Sequence, residues 1–165
     1  MSSAVSPSAV PAPGASGEPG ARQARGLNAL LASSSTSHEG LSKAIDNVVL
    51  CRRRGLIRIQ EITAARRDQL AAARRLAVDA LPHGPALKRS LVTALDASFD
   101  ADAAFLSWAR RHVEGGCSGP VTGDRDYRRG LARSKDAREA KARFAAAWRP
   151  VARAHDLPAW RPDQI

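Results

Sequence analysis

An all-α fold is predicted: an antiparallel up-down four-helix bundle with a short N-terminal helix and an irregular C-terminal tail. Three observations carry that expectation. Leu87, Leu91, Leu95, Ser98, Asp102, Phe105, Ala109 and Val113 recur at steps of three and four, the spacing of one buried helical stripe. The hydrophobic fraction is 44%, yet only 4% of residues are aromatic and alanine is abundant, which suits closely packed helices better than a β-sandwich. β-Branched residues adjoin only in pairs such as Val48-Val49. At 165 residues, the chain is long enough for one domain with a real core.

Taken in order, residues 1–20 are Ser, Ala, Pro and Gly with one charge, and are predicted to be a disordered tail or linker. The bundle domain is predicted over 21–165. Ala21 to Ala32 reads as a short helix with Leu27, Leu30 and Leu31 on one face. The serine-rich run from Ser33 to Ser37 breaks it and supplies an N-cap for the next. That helix, Ser37 to Cys51, turns Leu41, Ile45 and Val48 inward. Arg52-Arg53-Arg54-Gly55 follows as a tight turn, with cations against the helix dipole and glycine as a stop. One continuous bent helix from 37 to 80 is the alternative.

A second long helix, Leu56 to Leu81, is predicted to bury Ile59, Ile62, Leu70, Ala73, Leu76, Ala77 and Ala80, with Arg66, Arg67, Arg74 and Arg75 on the opposite face. Pro82 to Pro85 break the chain, and Pro85 sits where its missing N–H costs nothing. The helix from Pro85 carries the stripe, flanked by Phe99 and Trp108, and ends at Gly115-Gly116. Gly123-Asp124 opens the fourth helix, in which Tyr127, Leu131, Ser134, Ala137, Ala140, Phe144 and Trp148 keep the period to Arg149. Pro150 and Pro158 then break a tail that carries Leu157 and Trp160.

In an up-down bundle the first and third helices run parallel, so Cys51 and Cys117 come to the same pole. A disulfide between them is the expectation. Two separate thiols, or a metal site of Cys51, His112 and Cys117 that lacks a fourth ligand, are the other readings. A disulfide calls for an oxidising compartment, whereas the N-terminus shows no secretory signal and no apolar run approaches a membrane span.

Several segments carry a resemblance: Leu27-Asn28-Ala29-Leu30-Leu31-Ala32-Ser33-Ser34, Val48-Val49-Leu50-Cys51, Ala64 to Leu70, Ala80-Leu81-Pro82, Gly115-Gly116-Cys117, and Trp148 to Ala152 with Leu157-Pro158. Across residues 21–165, both cysteines included, the chain resembles a group of uncharacterised actinobacterial, Streptomyces-type helical domains. Those typically follow a Pro/Ser-rich linker and one membrane helix and face outward from the cell. The resemblance implies an extracytoplasmic location, with the start at Met1 placed downstream of an export segment and residues 1–20 as the emerging linker.

Chemistry is sparse. No Walker loop, dinucleotide fingerprint, nucleophile elbow, Glu-x-x-His or Cys-x-x-Cys occurs, so no enzyme activity, cofactor or metal is expected. His38, His83, His112 and His155 each lie near a helix end, where histidine is usually a solvated cap or dipole partner. Asp96 and Asp100, one turn apart, are expected to form a solvated face or to pair with arginines of a neighbouring helix, cation binding or proton transfer being the other reading. Asp102 is expected to pair with an arginine across the interface. Asp102 interrupts the apolar stripe and is the carboxylate whose burial would matter.

Net charge is +10 and the isoelectric point 11.1, although lysine occurs only at positions 43, 88, 135 and 141, the arginine skew of a GC-rich genome. Arg52, Arg53, Arg54, Arg58, Arg110, Arg111, Arg125, Arg128, Arg129 and Arg133 gather at the cysteine pole, an expected anion-binding surface. The functional expectation is a non-enzymatic binding or interaction module, with an anionic envelope surface or a protein as partner. A cytoplasmic protein that binds nucleic acid nonspecifically is the alternative.

Overall fold

The computed structural model describes residues 17–38 and 40–165. Among them are five α-helices and no strand: α1 (Gly17–His38), α2 (Leu41–Val49), α3 (Arg53–Arg75), α4 (Gly84–Glu114) and α5 (Arg125–Ala154), followed by a 3-10 turn at Pro162–Gln164. The all-α class holds.

Side-chain pairs give the directions. Arg74 meets Asp96 and Arg66 meets Asp102, so α3 and α4 are antiparallel. Asp100 meets Arg133 and Ser107 meets Asp126, so α4 and α5 are antiparallel. α1 lies antiparallel to α3, with Gln23 bonded to Asp79 and Ala80 just beyond the end of α3, and Ser33 and Ser34 bonded to Gln69 and Arg66. α2 packs on the first half of α3, where Gly55 approaches Ala44 and Val48. α1 and α2 therefore divide the length of α3 between them. Gly40, at their break, lines the same cavity as Arg66.

Most of the predicted stripe on α4 is buried, from Leu87 through Asp102 to Ala109, with Val113 half-buried. Two apolar clusters flank its middle. One holds Leu27, Leu31, Leu70, Leu91, Leu95, Phe144 and Trp148. The other, at the cysteine pole, holds Val48, Ile59, Phe105 and Trp108. Between them, by position along every long helix, lies a buried polar layer of Ser34, Arg66, Gln69, Ser98, Asp102 and Lys141.

Several boundaries differ from expectation, each for a physical reason. Residues 17–20 are helical, and residues 1–16 of the predicted tail lie outside the described residues. The serine run continues α1 instead of breaking it, because Ser34 Oγ accepts from Arg66 and the Ser33 carbonyl accepts from Gln69. α2 starts at Leu41 behind Gly40, whose φ of 95° is left-handed and favours glycine. The continuous helix from 37 to 80 is ruled out at Cys51, where φ is 57° and the amides of Cys51 and Arg52 turn back to the carbonyls of Val48 and Asn47, a helix-terminating pattern.

Gly55 is no stop. It lies in the first turn of α3, where a Cβ would come 2.5 Å from the Ala44 carbonyl and 2.7 Å from the Val48 amide. α3 ends at Arg75, and the Leu76 carbonyl is taken by Lys88 at 2.9 Å. Ala77 and Ala80 are consequently exposed, while Val78 and Leu81 enter the core from the connecting loop. Arg66 is not on the solvent face. Pro150 does not end α5: it has no N–H to give the Ala146 carbonyl, but both residues lie on the exposed face of the helix. Trp160 Nε1 donates to Asn28 and Ile165 is fully buried, which anchors the tail.

Candidate functional site

Cys51, just past the end of α2, and Cys117, just past the end of α4, form a disulfide with Cα atoms 5.7 Å apart. Both residues adopt left-handed backbone, φ 57° and 60°. α4 closes as α2 does: the Cys117 amide returns to the His112 carbonyl and the Gly116 amide to Val113. Two helix-ending turns thus deliver the two sulfurs to one point. With the bond made, Cys51 and Cys117 are neither separate thiols nor metal ligands.

The arginines around the staple divide into engaged and unengaged. Arg111 is engaged most, bonding Asp124 at 3.0 Å and Asp126 at 2.6 Å. Hydrogen bonds from Arg111 and Ser107 hold the Asp126 carboxyl below its usual range. Asp124 caps α5 through the amides of Asp126 and Tyr127. Arg52 and Arg54 donate to Asn47 Oδ1, Arg58 pairs with Glu61, and Arg133 bridges Asp100 and Asp136. Arg125 lies 3.7 Å from Asp126. Arg53, Arg110, Arg128 and Arg129 are exposed and form no ion pair among the described residues. The expected anion surface is thereby reduced to Arg53, Arg110, Arg125, Arg128 and Arg129, with Arg52, Arg54 and Arg58 beside them. Arg111 instead fixes the start of α5.

The polar layer is a second site. Arg66, 1% exposed, donates to Ser34 and Gln69 and has Nε 3.7 Å from Asp102 Oδ2. Neither of those facing atoms has a hydrogen-bond partner among the described residues. Burial pushes the Asp102 carboxyl up to about 6, against the pull of Arg66 and Lys141. Burial and the neighbouring Arg66 bring the Lys141 ammonium down to about 8, against Asp102. The layer thus sets two basic side chains, Arg66 and Lys141, against one carboxyl, Asp102. All three side chains line a cavity of about 780 Å³ bounded by α2, α3, α4, α5 and the 3-10 turn.

Asp96 and Asp100 pair with Arg74 and Arg133, as expected for solvated carboxylates. His112 departs from expectation: it is buried and stacks on Trp108, ring centroids 5.5 Å apart. His83 is exposed in a left-handed turn before α4, and His155 follows α5; the side chain of His38 lies outside the described residues. No cluster of His, Cys, Asp or Glu suited to a metal occurs among the described residues.

Sequence reasoning located the staple and singled out Asp102, but missed Arg66 and Lys141 as its companions. The signal was present. Arg66 falls in register with Ile59, Ile62 and Ala73, and Lys141 with Ala137, Phe144 and Trp148, so each charge stands in a buried stripe at the level of Asp102. Comparison with protein-family models, with curated proteins and with solved structures finds no match to this chain.

Proposed function

We propose that this chain is a non-enzymatic, extracytoplasmic helical module that docks on an anionic lipid surface through the corner between α2 and α3. One observation carries the reading. From Val49 to Arg58 the corner has four arginines and no carboxylate, while Val49, Leu50 and Ile57 are 42%, 59% and 50% exposed. Guanidinium groups suit lipid phosphates, and adjoining aliphatic side chains suit the boundary between headgroups and acyl chains. Each basic residue near such a surface contributes about 1 kcal/mol. The staple at Cys51 holds the corner to the end of α4.

The disulfide is compatible with an oxidising compartment, and the resemblance to outward-facing actinobacterial domains points the same way. No helix among the described residues is long and apolar enough to cross a membrane, so attachment through this corner is peripheral. The exposed aliphatic side chains favour lipid over nucleic acid, which needs the charges alone.

Vesicle flotation tests the reading. Oxidised protein is expected to float with phosphatidylglycerol vesicles at low salt, to be released as salt rises, and to ignore phosphatidylcholine. Absence from the anionic vesicles at low salt would overturn it, and a salt-sensitive mobility shift with duplex DNA in that case would select the nucleic-acid reading. Two free thiols in protein taken from its native compartment would remove the extracytoplasmic assignment.

A further inference from the structure

We infer that the cavity at the break between α1 and α2 binds a small amphiphilic anion, an organic carboxylate with an aliphatic or aryl body. Its charged end sits against Arg66, Lys141 and the first amides of α2, and its body lies along Ile45, Phe105 and Leu131.

Four observations converge. The volume, about 780 Å³, falls in the range of roughly 300–1,000 Å³ typical of small-molecule sites. Among the described residues of the cavity wall, the two buried basic side chains Arg66 and Lys141 stand against one buried carboxyl, Asp102. With the exposed Lys43, Arg138 and Asp163, the wall carries four basic side chains to two acidic ones. A buried cation without a counter-ion is costly, so an anion entering here gains more than it would at the surface. Arg66, 1% exposed, belongs to the cavity lining, and its Nε, 3.7 Å from Asp102 Oδ2, has no hydrogen-bond partner among the described residues. The first turn of α2 opens on the same cavity, and no side chain among the described residues caps it, so its amides and dipole add donors for an anion.

The same features narrow the ligand. In the buried layer one basic side chain is in excess of Asp102, and apolar Ile45, Phe105 and Leu131 share the lining, which suits a carboxylate monoanion with a hydrocarbon body better than a phosphate dianion. Ile45, Phe105 and Leu131 offer nothing to an inorganic ion but cover a hydrocarbon body. A cationic ligand would meet Arg66 and Lys141. This site is separate from the α2–α3 corner, and its substitutions leave that corner unchanged.

Calorimetric titration of the oxidised full chain with decanoate tests the inference, with decanol and acetate as controls. Decanoate is expected to bind one to one, and neither control to bind at the same concentration. Lys141→Met removes the unanswered charge with little change in shape, and Leu131→Glu places a like charge at an exposed position where folding is undisturbed. Each is expected to weaken decanoate at least tenfold, with helical circular dichroism and vesicle binding retained. Absence of decanoate binding, equal binding of decanol, or full affinity in the folded Leu131→Glu variant would overturn it.

Discussion

Arg66 Nε on α3 and Asp102 Oδ2 on α4 face each other 3.7 Å apart with almost no exposure to water. The separation exceeds that of a hydrogen bond, and Arg66 spends another nitrogen on Ser34 and Gln69. Arg66 therefore ties α1, α3 and α4 together at the polar level between the two apolar clusters. Arg66→Met is expected to cost about 3 kcal/mol, because it strips Ser34 and Gln69 of their donor and leaves Asp102 facing Lys141 alone. Urea unfolding of the variant checks this; a cost below about 1 kcal/mol would mean the layer contributes little.

Stability is expected to vary with pH in a definite sense. Folding raises Asp102 from 3.8 to about 6, so its favourable contribution is full below about pH 4 and is lost as pH rises through 6. Folding lowers Lys141 from 10.5 to about 8, so stability from this group grows as pH rises from about 8 to 10. The groups around Asp102 are Arg66 from α3, Lys141 from α5 and Ser98 on α4. Asp102→Asn should flatten the acid limb of a urea-midpoint profile, and Lys141→Met the alkaline limb.

Cys51→Ser and Cys117→Ser should destabilise about equally, each by about 4 kcal/mol, since either opens a loop spanning 66 residues. Reduction of the native protein should reproduce the loss. Unequal losses in thermal or urea unfolding would show that one cysteine has a separate role.

Two glycines set helix approach. A Cβ on Gly55 would strike the Ala44 and Val48 backbone, and one on Gly130 would come within 2.7 Å of the Phe105 ring. Gly55→Ala and Gly130→Ala are each expected to destabilise by about 1–3 kcal/mol, although alanine is the better helix former. Gly55→Ala should be the worse, because backbone gives way less readily than a ring. Comparison of their unfolding midpoints decides the order.

Apolar periodicity made the long helices and the α4 stripe legible, and alternation of direction made the meeting of Cys51 and Cys117 legible. Local propensity misled where tertiary contacts overrode it. Ser33 and Ser34 read as a break, yet they stay helical because α3 offers them polar partners. Gly55 read as a stop, yet it serves as a contact point. Arg66 read as solvated because a single arginine is normally so; only its register, compared with that of Asp102 and Lys141 on other helices, marks it as buried. The number of free arginines at the pole was not legible either, since the hold of Asp124 and Asp126 on Arg111 depends on how α5 begins.

Which face meets an anionic membrane is the central claim, and partitioning of single-site variants onto phosphatidylglycerol vesicles tests it most directly. Ile57→Asp, at an exposed position on the corner, should lose at least tenfold in partition coefficient with unfolding midpoint unchanged, whereas Leu131→Glu, on α5, should bind as the native protein does. Native partitioning by Ile57→Asp would contradict the account.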